Sequence, residues 1–218
     1  MENINTYIDH TLLDPLATEA QITKLCEEAA IYRFKSVCVH GTYVALAKEL
    51  LRDTKVLVCT VVGFPLGAAT TAAKVAEAED AVKDGAGEVD MVINQGWVKD
   101  KAYSKITQEV HFIKHAIGGA VLKVIIETAN LSKEEIVAVS KAVVEGGGDF
   151  VKTSTGFASR GASLEDITII KNTVGNNALI KASGGIRSYE DAIAFIAKGA
   201  DRIGTSSGIK IVSHFGKQ

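Results

Sequence analysis

Asp149-Phe150-Val151-Lys152-Thr153-Ser154-Thr155-Gly156 and Leu179-Ile180-Lys181-Ala182-Ser183-Gly184-Gly185 are the stretches on which the fold reading turns. Each is a short run carrying one lysine, and each ends in small residues and glycine. A capped helical segment follows each: Ser163 with Asp166 after the first, Ser188 with Asp191 after the second. Strand, loop and capped helix, twice in succession, is the unit of a parallel sheet. Parallel neighbours need a crossover, and the crossover is usually a helix.

Outward from these stretches the same unit recurs. Apolar or β-branched runs at 7–11, 36–40, 56–62, 88–94, 121–128, 149–154, 179–183 and 201–204 predict strands. Helices are predicted near 18–32, 42–53, 70–84, 97–117, 132–145, 163–174, 188–198 and 207–214. Ile22, Leu25, Cys26 and Ala29 fall at helical spacing, as do Ile136, Val139, Ser140 and Val143. Thr18 with Gln21 and Ser132 with Glu135 supply further caps. Gly85, Gly146 and Gly199, at helix-to-strand joins, suit the left-handed residue that ends a helix. Eight units within 218 residues, with no G-x-G-x-x-G after the first strand, favour a closed barrel over an open doubly wound sheet. The expectation is an α/β chain, residues 1–218 forming one (β/α)8 TIM-barrel domain.

Composition narrows the function. With 47% hydrophobic and 23% charged residues and a net charge of −2, the chain makes no electrostatic case for nucleic acid or an anionic membrane. Neither a signal peptide nor a run long enough to span a bilayer is read. Cys26, Cys38 and Cys59 form no C-x-x-C pair, which points to a reducing, cytoplasmic setting. His111 and His115 lie four apart, but HFIKH lacks the glutamate of a zinc-binding helix. No metal site is expected.

The chemistry lies in charges where a buried strand should be apolar. Lys152 and Lys181 sit at matched heights on neighbouring strands, about 4.8 Å apart. A lone strand lysine is ordinarily a solvated edge residue, but helices cover this sheet's outer face. Burial and mutual repulsion would then lower a lysine's pKa toward neutrality, and a neutral amine is what attack on a carbonyl needs. Asp90, in Glu88-Val89-Asp90, is either a buried ion partner or a proton shuttle. Asp9 and Lys123 are further mid-strand charges, with Lys123 read as a balancing partner for Asp9 or Asp90. A phosphate site is expected after the last two strands, at Gly184, Gly185, Ser206 and Ser207. Glycines there let backbone N–H groups approach an anion, and the serines add hydroxyl donors.

Taken together, Ile8-Asp9-His10-Thr11-Leu12-Leu13, Glu88-Val89-Asp90, Lys123-Val124-Ile125-Ile126-Glu127-Thr128, Phe150–Gly156, Lys181–Arg187 and Gly204-Thr205-Ser206-Ser207 resemble the deoxyribose-phosphate aldolase family over nearly the whole chain. The resemblance implies a cofactor-free class I aldolase acting on a small sugar phosphate and aldehyde. It implies Lys152 as Schiff-base nucleophile and Asp90 with Lys181 as proton relay. Gly184, Gly185, Ser206 and Ser207 fall on its phosphate contacts, and Gly156 is expected to join them. Asp9, Thr11, Cys38, Lys123 and Thr153 are expected in the pocket, and a homodimer or homotetramer is implied. Where some members carry a lysine after T-S-T-G, this chain has Phe157, and where some end in tyrosine it ends His214-Phe215-Gly216-Lys217-Gln218. The rival readings are another Schiff-base sugar-phosphate aldolase or transaldolase, and a non-catalytic phospho-sugar-binding barrel.

Overall fold

Strands covered by helices must present apolar side chains outward, and alternation leaves the other face free for different residues. In the computed structural model, which describes residues 3–213, that division holds for most strand positions. Eight parallel strands close in chain order: β1 Ile8–Thr11, β2 Ser36–Val39, β3 Leu57–Val62, β4 Glu88–Val92, β5 Val121–Ile125, β6 Phe150–Lys152, β7 Leu179–Ser183 and β8 Arg202–Thr205, with β8 pairing back onto β1. The outward residues, among them Val37, Val58, Val89, Leu122, Val151, Ile180 and Ile203, belong to one large apolar core shared with the helices. Burying each aliphatic side chain there contributes about 1.5–3 kcal/mol.

The helices are α1 Glu19–Tyr32, α2 Val44–Leu50, α3 Thr71–Lys83, α4 Gln95–Lys99, α5 Tyr103–Ala116, α6 Lys133–Glu145, α7 Leu164–Val174, α8 Tyr189–Ala197 and α9 Gly208–Val212. Thr18, Ser132 and Ser163 form reciprocal capping boxes with Gln21, Glu135 and Asp166, and Ser188 caps α8 through the Asp191 N–H. Such caps contribute about 1 kcal/mol each. Among the described residues, no helix is long and apolar enough to cross a membrane.

Three details differ from the sequence reading. The segment expected as one helix over 97–117 is two, because Lys101 is left-handed (φ 54°) and the Ala102 N–H closes back on Trp97 O at 2.8 Å. Gly146 is not the left-handed residue; Gly147 is, with φ 85°. Gly146 is required for a different reason: a Cβ there would lie 2.7 Å from Thr107 O and Val110 Cβ, so its bareness lets α6 close on α5. The helix expected over 207–214 runs Gly208–Val212, and residues 214–218 lie outside the described residues.

Inside the barrel the usual filling of branched apolar side chains is replaced by charge. Asp9, Glu88, Asp90, Lys123, Lys152, Lys181 and Arg202 are all buried there. A small apolar cluster of Leu13, Cys38, Cys59 and Val61, with Phe64 against it, fills the side next to β2 and β3.

Candidate active site

A cavity of about 510 Å3 opens at the C-terminal ends of the strands. Its walls are the loops after β1 (Thr11 to Pro15), β6 (Thr155 to Phe157), β7 (Gly184 to Arg187) and β8 (Ser206), and Lys152 reaches it from below. A larger cavity of about 850 Å3 lies among Asn5, Arg33, Lys35 and Lys55, beside the N-terminal ends of β2 and β3. None of the barrel's inner charges reaches that one, and barrel enzymes work at the C-terminal face. Size and chemistry point to opposite ends here, and chemistry decides.

Beneath the smaller cavity the strand register builds an ion network. Lys152 pairs with Lys181 and Asp90 with Lys123 across neighbouring strands. Asp90 Oδ2 accepts from Lys152 Nζ and Lys181 Nζ, both at 2.7 Å. Its Oδ1 accepts from Lys123 Nζ at 3.0 Å and from the Cys59 thiol at 3.1 Å. Lys181 Nζ also lies 2.5 Å from Asp9 Oδ2. Lower down, Arg202 donates to Asp9 and Glu88, and Lys123 donates to Glu88 at 2.6 Å. Every carboxylate oxygen of this layer faces a cation.

The electrostatics follow from that packing. Burial alone would raise the Asp90 pKa, but the ammonium groups of Lys123, Lys152 and Lys181 outweigh it and hold the carboxyl well below its usual range. Asp9 is lowered in the same way, its burial overcome by Lys181, Arg202 and Lys123. Lys181 goes up: burial disfavours its charge, but Asp9 and Asp90 more than compensate. Lys181 is thereby held as a cation beside Lys152, on the Asp90 oxygen that both share. Cys38, Cys59 and Asp90 bring ligand-type atoms within 4.8 Å of one another. The Lys123 ammonium, 3.4 Å from Cys59 Sγ and 3.0 Å from Asp90 Oδ1, already takes a cation's place there.

Comparison with known proteins accords with this geometry. A family model described as DeoC/LacD family aldolase matches residues 4–214. The chain belongs to the DeoC/LacD aldolase family. It is 54% identical over 209 residues to a deoxyribose-phosphate aldolase of Finegoldia magna, covering 96% of this chain and 98% of that one. With the deoxyribose-phosphate aldolase of Caldanaerobacter subterraneus the identity is 52%, covering 99% and 95%. Among solved structures, an aldolase named QR15 superposes with a TM-score of 0.96 at 44% identity, covering 100% and 97%. A tetrameric deoxyribose phosphate aldolase from Aeropyrum pernix superposes at 0.90 with 34% identity, covering 99% and 92%. The chain is accordingly a lyase acting on carbon–carbon bonds.

In this aldolase the residues expected from sequence fall into three groups. Lys152, Asp90 and Lys181 converge, with Lys123 balancing Asp90 as read. Thr11, Gly156, Gly184, Gly185 and Ser206 line the cavity. Ser207 does not; its N–H donates to Thr205 Oγ1 at 2.9 Å. Asp9, Lys123 and Cys38, expected as pocket residues, lie below the floor, and Thr153 is buried with its hydroxyl accepting the Ser183 N–H at 3.2 Å. Glu88, Arg202 and Cys59 were not read as parts of the site. Arg202 carried the same signal as Lys152, a charge inside a barrel strand, but in a strand too short and polar to stand out. Cys59 left no signal, since a strand cysteine reads as a small hydrophobe.

Proposed function

We propose that this aldolase reversibly cleaves 2-deoxy-D-ribose 5-phosphate to D-glyceraldehyde 3-phosphate and acetaldehyde through a Schiff base on Lys152, with residues 1–218 working as one domain. The observation that carries the reading is the shared oxygen Asp90 Oδ2, 2.7 Å from two lysines of which only Lys152 lines the cavity. The substrate is the one named for the relatives from Finegoldia magna and Caldanaerobacter subterraneus. By the same argument from relatives, a homodimer or homotetramer is proposed, the Aeropyrum pernix protein being a tetramer. Three free cysteines suit a cytoplasmic setting.

Charge counting supports the assignment of the nucleophile. Asp9, Glu88 and Asp90 offer three negative charges to Lys123, Lys152, Lys181 and Arg202. The layer balances with one of the four bases neutral. Of the four, only Lys152 faces the cavity. Its amine attacks C1 of the open-chain aldehyde, and loss of water gives the iminium. A two-carbon product requires the C2–C3 bond to break. Its electron pair flows into the iminium nitrogen to give the enamine, while the C3 hydroxyl proton passes to ionised Asp90 directly or through water. Protonation of the enamine at C2 and hydrolysis release acetaldehyde. Lys181 rests charged, fixing Asp90, and a proton that it gives up is regained from Asp90 or water. Gly156, Gly184, Gly185 and Ser206 surround the phosphate, with Ser207 behind Ser206.

The test is borohydride reduction in the presence of acetaldehyde, followed by digestion and mass spectrometry. The reduced ethyl adduct is expected on the peptide bearing Lys152. An adduct on Lys181 would reverse the roles, and no adduct would leave a binding barrel.

A further inference from the structure

Two residues beyond the end of β5 the chain turns at Glu127, whose φ of 56° and ψ of 67° are left-handed. Side chains with a β carbon rarely adopt that conformation, and where they do, it clusters at functional sites. Glu127 is buried, 2% exposed. Among the described residues, the hydrogen bonds to its carboxylate all come from Thr155. The Thr155 N–H donates to both oxygens at 3.3 Å, and the Thr155 hydroxyl donates to Oε2. That hydroxyl in turn accepts the Phe157 N–H at 3.0 Å. Thr155, Gly156 and Phe157 are the stretch of the β6–α7 loop that lines the cavity beside Lys152.

The remainder of this loop has other anchors. Ser183 Oγ donates to Ser154 O at 2.6 Å, and Gly161 approaches Gly184 so closely that a Cβ on it would lie 2.0 Å from Gly184 O. On the far side Arg160 and Thr128 both donate to Asp166, at 2.6 and 2.9 Å. Loop closure is thus provided for without Glu127. What Glu127 adds is local. As a pure acceptor it holds both Thr155 donors, and the Thr155 lone pair is left to fix Phe157. A buried carboxylate in strained backbone is a costly arrangement, and it is spent on three residues facing the cavity.

We infer that Glu127 is a positioning residue: acting through Thr155, it sets the Thr155–Phe157 turn against the phosphate-bearing end of the substrate and takes no part in breaking the bond. The inference rests on the proposed function and extends it to the grip on the anionic end.

Glu127→Gln keeps the size but turns an amide N–H2 toward Thr155's donors. KM for deoxyribose 5-phosphate should rise about tenfold or more, the scale expected for a misplaced positioning group. KM for unphosphorylated deoxyribose and the rate of acetaldehyde trapping on Lys152 should stay within about twofold of wild type. Thr155→Val should reproduce the defect and Thr155→Ser should restore it, and the Glu127→Gln/Thr155→Val double variant should be no worse than either alone. If Glu127→Gln fails to fold, the two Thr155 variants carry the test. Equal losses for both sugars and for trapping would make Glu127 a merely structural residue and overturn the inference, as would an unchanged KM. A wild-type enzyme inactive on deoxyribose 5-phosphate would defeat the proposed function instead.

Discussion

Lys74 and Lys152 are both buried lysines held by a carboxylate, and their differences are instructive. Lys74, on α3, donates to Glu109 on α5 at 2.9 Å and to Val92 O at 2.8 Å, and Thr71 donates to the other Glu109 oxygen at 3.1 Å. The pair is one to one and sealed from solvent. Burial lowers the Lys74 pKa, against the pull of Glu109. The chain makes room for its stem by leaving Gly63 bare, where a Cβ would lie 2.8 Å from Lys74 Cε. Lys152 shares its carboxylate with Lys123 and Lys181, and it opens on a cavity. Burial and an ion pair are common to both. A carboxylate shared among several amines, and a way in for substrate, belong to one.

The sharpest way to break this comparison is to delete each lysine. Lys152→Met should lower turnover at least about a thousandfold, the scale of losing a nucleophile. Its unfolding midpoint should hardly move, because Lys181 and Lys123 still satisfy Asp90. Lys74→Met should do the reverse, costing about 3–5 kcal/mol by leaving Glu109 buried and unpaired. Its kcat, measured on the folded fraction, should be unchanged. Urea unfolding and steady-state kinetics on both proteins decide it, and a low kcat in Lys74→Met would erase the distinction.

Sharing is tested next. Lys181→Leu removes a cation from the Asp90 oxygen that Lys152 also uses, leaving Lys152 as the one amine on that oxygen. Trapped adduct at pH 7 should fall, and it should recover as pH is raised. A pH profile overlaying wild type would mean that Lys181 does not govern the nucleophile.

The smallest effect concerns pH and stability. Asp9 and Asp90 have folded pKa values below their ordinary one, so the stability they contribute is present above about pH 4 and is lost as pH falls toward their folded values. Lys181 is raised, so its share is fully present below about pH 10.5 and fades only above it. The network should therefore contribute a flat plateau from about pH 5 to 10. Melting midpoints of wild type and Asp9→Asn should differ by a constant amount across that range and converge in acid. A difference that changes between pH 6 and 9 would contradict the directions assigned to these groups.

Most of this architecture was legible because it rests on local rules. Alternating units and capped helices gave eight strands, and a charge inside a covered strand identified Lys152, Lys181 and Asp90. What escaped depends on three-dimensional closure. Arg202 meets Asp9 only because β8 returns to β1, and no pattern along the chain announces that contact. The second acid that holds Lys181 charged, Asp9, is more than a hundred residues away in sequence and meets it only in the closed barrel. Gly146 was misread because a glycine at a helix end has two explanations, backbone twist or close packing, and only the neighbouring Val110 distinguishes them. Ser207 followed Ser206 into the phosphate reading by adjacency, though successive residues at a strand end need not face the same way.

The reversal of polarity across the barrel wall has a consequence for how this chain can change. Along each strand, neighbouring positions answer to different demands: Val151 belongs to the apolar layer under the helices, and Lys152 beside it belongs to the ion network. A library confined to outward positions such as Val58, Val89, Leu122, Val151 and Ile180 would explore heat resistance while leaving catalysis alone. One confined to inward positions would explore catalysis, and would also draw on the stability that the ion network contributes. In evolutionary terms the two properties are inherited on alternate letters of the same words.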